Sequence, residues 1–130
     1  MTSKPFMVAD LNELLALHRV FREAKFCTEP DDIEVSNSPI VARLFRQLLD
    51  AVVAAEVERD GESAREKWEQ WLALDESRDE WIAGVERAKR ENAWAGFSEE
   101  ERRAYVTLLM SPFVLGEDVM DRFIASVEGM

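Results

Sequence analysis

SPIVARLFRQLLDAVVAAEVERDG, residues 38–61, is the stretch that decides the class of this chain. Ser38 is a natural helix cap, and Pro39 stands at the first helical position, where a missing backbone donor costs nothing. Behind them Ile40, Val41, Leu44, Phe45, Leu48, Leu49, Val52 and Ala55 recur at three- and four-residue spacing and form one wide apolar face. Arg43, Arg46, Gln47 and Asp50 fall on the other side, with Arg46 and Asp50 one turn apart. Gly61 supplies the stop. This helix is expected at the centre of the core.

The same punctuation extends in both directions. Upstream, Asp10 and Glu13 form a capping pair, and Leu11, Leu14, Leu15, Leu17, His18 and Phe21 continue a helical stripe to about Phe26. Residues 27–37, CTEPDDIEVSN, lose that period and read as an acidic loop, longer than most helix connections. Ile33 and Val35 alternate with acids there, which allows a short extended segment without a strand partner. Downstream, Ser63 with Glu66, Ser77 with Glu80 and Ser98 with Glu101 each have capping-box spacing. The segments they introduce carry Ala64, Trp68, Trp71 and Leu72; then Trp81, Ile82, Val85 and Ala88; then Ala104, Tyr105, Leu108 and Leu109. The narrow stripe of the second predicts a more exposed helix. Ser111-Pro112 ends the third, and a last helix from about Gly116 shows Val119, Met120, Phe123, Ile124 and Val127, with Asp118 and Arg122 paired opposite. The reading is an all-α, single-domain bundle of five to six amphipathic helices over residues 1–130, with an N-terminal arm at 1–9 and the acidic loop at 27–37.

Composition narrows the function classes. The 27 acidic against 16 basic residues leave a net charge of −11, spread over both halves of the chain. Such a field repels nucleic acid and anionic lipid, whose binding needs Lys and Arg against phosphate. It suits either solubility alone or a partner with a basic surface, including a protein that itself binds nucleic acid. Residues 1–6 lack the form of a signal peptide, and no apolar run approaches a membrane span. A single cysteine, Cys27, fits a reducing compartment, so a cytoplasmic protein is expected.

No catalytic motif emerges. His18, the only histidine, lies on the apolar face of its helix and reads as a packed imidazole with one nitrogen bonded locally, in preference to a general base or pH switch. One histidine supports neither a three-histidine zinc site nor a di-iron bundle. Cys27 is flanked by Glu29, Asp31 and Asp32, which oppose a thiolate, with Lys25 a weak counterweight; it reads as a small apolar residue. Glu66, Glu69, Asp75 to Glu80, Glu99 to Glu101, Glu117, Asp118 and Asp121 are the acids available to hold Mg²⁺ in a nucleotide pyrophosphohydrolase. Most of them fall off the apolar stripes, and several are at caps. The five glycines are scattered and build no phosphate loop.

The tryptophans are more suggestive. Trp68, Trp71, Trp81 and Trp94 crowd into the most charged part of the chain, as interface anchors do, although Trp94 also suits helix-end packing against Phe97. The leading expectation is a small acidic protein-binding module, of the inhibitor, immunity-protein or adaptor kind, using Glu29, Asp31, Asp32, Glu34, Asp75, Glu76, Asp79, Trp81 and Trp94 against a basic surface. The Mg²⁺-dependent hydrolase is the alternative, and a structural subunit of a homo-oligomer, for instance a homodimer, is the third. No catalytic residue, metal or cofactor is assigned.

Overall fold

The computed structural model describes residues 6–129, so part of the expected N-terminal arm, residues 1–5, lies outside it; residues 6–9 are not helical. Among the described residues there are seven α-helices and no strand: α1 Leu11–Lys25, α2 Glu34–Asn37, α3 Pro39–Asp60, α4 Ser63–Leu72, α5 Asp79–Lys89, α6 Glu99–Met110 and α7 Glu117–Glu128. A single turn of 3₁₀-helix, Trp94–Gly96, precedes α6. The chain is all-α, with one more helix than the sequence suggested.

The caps explain most of the boundaries. Asp10 accepts from the Glu13 backbone at 3.2 Å, Ser38 from Val41 at 3.1 Å, and Ser98 with Glu101 closes a complete capping box. Gly61 takes φ +92°, a left-handed conformation in which a Cβ is strained, and ends α3. Two expected boxes do not form. Glu62 occupies the cap position of α4, so Ser63 is already inside the helix. Asp75 claims both the backbone and the hydroxyl of Ser77, and Arg78 becomes the cap of α5. A third departure is at 34–37: Asp32 accepts from the Glu34 backbone at 2.9 Å and starts one helical turn, where a loop with an extended segment was expected.

The helices form two groups, α1 with α3 and α4, and α5 with α6 and α7, joined where α2 and α3 meet α6. One core runs through both, from Leu49 and Val53 of α3 through Val85 of α5 to Val106 of α6 and Phe123 of α7. In α3 the buried stripe is Ala42, Phe45, Leu49, Val52 and Val53, and the predicted face is correspondingly rotated: Ile40 is 59% exposed and Leu44 also faces out.

The larger correction concerns α5. Its narrow stripe pointed to an exposed helix, yet Glu80, Trp81, Ala83, Gly84, Val85 and Ala88 are all buried. Small residues on the inner side let neighbouring helices approach. A Cβ at Gly84 would overlap Met110 Sδ and lie 3.3 Å from Phe123 Cζ. Apolar periodicity undercounts such a face, because glycine and alanine bury little area of their own.

At the other end of the core a cation meets the last turn of α6. Pro112 has no N–H to give the Leu108 carbonyl, the acceptor four residues back. Lys25, only 2% exposed at the end of α1, supplies the donor: Nζ donates to Leu108 O at 3.0 Å and also to Ser111 O. Around it the Arg78 guanidinium lies 4.7 Å from the ring centres of both Trp71 and Phe113 and donates to Trp71 O, and Arg46 donates to Pro112 O at 3.3 Å. A parallel bridge between Ala73 and Val114 fixes the same connector to the end of α4.

Burial pushes the Lys25 ammonium down to about 7. A neutral amine has two N–H donors for two carbonyls, whereas the ammonium leaves one without a partner. Between about pH 7 and pH 10 the unfolded chain therefore holds more protons at this site than the folded one, so stability rises with pH across that window. Urea unfolding should show a higher midpoint at pH 9.5 than at pH 7, and Lys25→Met should flatten that slope. The same variant leaves two buried carbonyls unmatched and should cost about 1–3 kcal/mol at the higher pH. Gly84→Val should lose about 1–3 kcal/mol by overpacking against Met110 and Phe123, read from the same unfolding curves.

Candidate functional site

The C-terminal half of α1 and the segment after it carry an open apolar concavity. Val20 and Ala24 of α1 form one wall, and Pro30 and Val35 form the other, enclosing about 550 Å³. The accessible lining is almost wholly carbon, so the carboxylates of Glu23, Asp31 and Asp32, which border the groove, turn outward to its rim. Arg19 is the one base there. Val20 is 59% exposed, far more than a core position of a helix.

A second hollow, of about 180 Å³, adjoins the first and shares Glu23 and Cys27 with it. It is lined in addition by Arg22, Phe26, Asp79 and Glu80. Asp31 and Asp79, far apart in sequence, thus line two neighbouring hollows. Glu80 is taken up by Arg78 at 3.7 Å. Among the described residues Glu23, Asp31, Asp32 and Asp79 take part in no ion pair.

The residues singled out in the sequence separate into two groups. Glu29, Asp31, Asp32, Glu34 and Asp79 are exposed on or next to these hollows. The others have structural engagements. Asp75 shapes the turn before α5 through Ser77, and this interaction holds its carboxyl below the usual range. Glu76 pairs with Arg122 across 46 residues, so the expected Asp118–Arg122 pair is not made. Trp81, expected as an anchor, is 6% exposed and packs edge-on against Phe123, with ring centres 5.0 Å apart. Trp94 is half-buried, its ring meeting Tyr105 at 6.1 Å with the Arg102 guanidinium 5.4 Å away, so its partner is Tyr105 and not Phe97. Both tryptophans leave the candidate surface.

Cys27 also needs correcting: it is exposed and lines both hollows, where an apolar packed residue was expected. Its position follows from the end of α1, since Phe26 caps the helix and turns inward against Phe113 at 5.4 Å, leaving Cys27 outside.

His18 is buried, at 5% exposure, among Phe45, Trp68 and Trp71, with ring centres 5.3–5.5 Å away. Its Nε2 has no hydrogen-bond partner, so the expected local bond is absent at that atom. Burial, and then the nearby Arg22 charge, hold its pKa below the ordinary value. The aromatic walls separate it from any depression described above. The acids imagined around Mg²⁺ are dispersed: among the described residues no three His, Cys, Asp or Glu side chains gather as a metal would need. Asp121 is bound by Arg103, and Glu101 by the Ser98 cap. No helix among the described residues is long and apolar enough to cross a membrane.

No known protein family, curated protein or solved structure matches the chain.

The exposure of Cys27 has a direct readout. Native protein should take up one maleimide per chain with unchanged far-UV circular dichroism and an unchanged unfolding midpoint. A thiol that reacts only after denaturation would contradict the geometry.

Proposed function

We propose that this chain is a protein-binding module whose acidic face docks on a basic surface of another protein, in the manner of an inhibitor, immunity-type protein or adaptor. The observation that carries the reading is that Asp31 and Asp32 line an open apolar hollow at the end of α1 and Asp79 lines its neighbour, each without an ion pair among the described residues. Charged side chains that a fold leaves unpaired beside an apolar concavity make a surface on which a partner gains both contact area and charge complementarity. The net charge of −11 adds a long-range field that speeds encounter with a basic partner and turns nucleic acid away. A partner that ordinarily binds nucleic acid would be inhibited by occupation of that site. The free Cys27 suits a reducing compartment, and we place the module in the cytoplasm.

The test is capture by immobilised protein from an extract of its native cell at low salt, beside the variant Asp31→Lys/Asp32→Lys/Asp79→Lys. The wild type should retain a defined protein that the variant loses, and the interaction should weaken as salt rises from about 0.05 to 0.3 M, where screening shortens to a few ångströms. Equal retention by both proteins would overturn the assignment of this face.

A further inference from the structure

The groove beside α1 combines features that restrict what can occupy it. Its accessible lining is apolar, from Val20, Ala24, Pro30 and Val35, and its edges carry Glu23, Asp31 and Asp32 against the lone Arg19. It is widely open to solvent, so it cannot enclose most of the surface of a small molecule as ligand sites do. An apolar groove of this form instead accepts one face of an elongated segment whose other face stays in solvent. The acidic rim requires that the segment carry positive charge next to its apolar residues. A second copy of this chain brings the wrong sign, since each copy has a net charge of −11 and the rims would face each other as like charges. The more polar hollow beside the groove shares Glu23 with it and carries Asp79 and Arg22 on its wall.

We infer that the groove between α1 and residues 30–35 seats a cationic amphipathic segment of a partner protein, with aliphatic or aromatic side chains against Val20, Ala24, Pro30 and Val35. Its Lys or Arg residues face Glu23, Asp31, Asp32 and Asp79. The inference rests on the protein-binding reading and names the part of the partner that is held. Affinity then has two separable sources: buried apolar area at the centre and a salt-sensitive charge contribution at the rim.

The experiment uses the full chain and a fluorescent synthetic peptide of Leu and Lys, with leucines at helical i, i+3, i+4 and i+7 spacing, followed by anisotropy. A Lys/Ser peptide of equal charge and a Leu/Glu peptide are the controls. The Leu/Lys peptide should bind at least about tenfold more tightly than either, a difference of about 1.4 kcal/mol. Val20→Gln/Ala24→Gln changes two exposed positions, so the fold, checked by circular dichroism, should persist while the Leu/Lys preference over Lys/Ser disappears. Asp31→Lys/Asp32→Lys should weaken binding at least about tenfold. Glu100→Lys/Glu117→Lys, an equal charge change away from the groove, should leave it within about twofold, as expected for exposed charges that touch no partner. Equal binding of the Leu/Lys and Lys/Ser peptides, or equal effects of the two charge reversals, would overturn the inference. If that happens while Asp31→Lys/Asp32→Lys/Asp79→Lys still abolishes partner capture, the module reading stands and only the cationic amphipathic occupant falls. Loss of both results removes both.

Discussion

The connection between the two groups of helices depends on how the end of α6 is satisfied. Pro112 terminates the helix and withholds a donor from the Leu108 carbonyl, in a partly buried region. Lys25 answers it from α1, with Arg46 of α3 on the Pro112 carbonyl and Arg78 stacked between Trp71 and Phe113. Three cations from different parts of the chain thus converge on residues 108–113.

That arrangement also places the candidate site. Lys25 anchors the last turn of α1 against α6, so the chain must leave the helix at Phe26 and Cys27 in a fixed direction. Phe26 turns toward Phe113, and the following residues fold back along the outer side of α1, where Pro30 and Val35 meet Val20 and Ala24. The Asp32 carboxylate, accepting from the Glu34 backbone, and the single turn of α2 hold that return. Arg78, fixed over its two aromatic rings, sets the start of α5 and brings Asp79 beside Glu23. The groove and its acidic border are therefore consequences of core anchoring on either side, although none of the anchoring residues lies in the groove.

Packing on the far side of the core uses a different device. α5 reaches the centre because Gly84 and its alanines leave room for Met110 and Phe123, while Trp81 fills the space beside them. His18 shows the same economy of polar groups: its imidazole serves as a fourth aromatic surface beside Trp68, Trp71 and Phe45. Residues that look chemical in isolation, a histidine, a buried lysine and a tryptophan in charged surroundings, are here structural.

What the sequence determined by itself is local. Asp10, Ser38, Ser98, Gly61 and Gly116 mark helix ends because a backbone donor or acceptor there must be matched within a few residues, and the 3.6-residue apolar period marks helix faces. The all-α class and the acidic 29–34 segment as a surface feature followed from those signals. What only the tertiary structure decided is every relation across the chain. Ser77 lost its capping role to Asp75, α5 proved buried since small residues carry no periodic signal, and Arg122 chose Glu76 over its helical neighbour. The groove was illegible for the same reason: its walls are 20–24 and 30–35, and Asp79 lines the hollow beside it. Which charges stay free depends on pairings between residues dozens of positions apart, and only the packed core determines those.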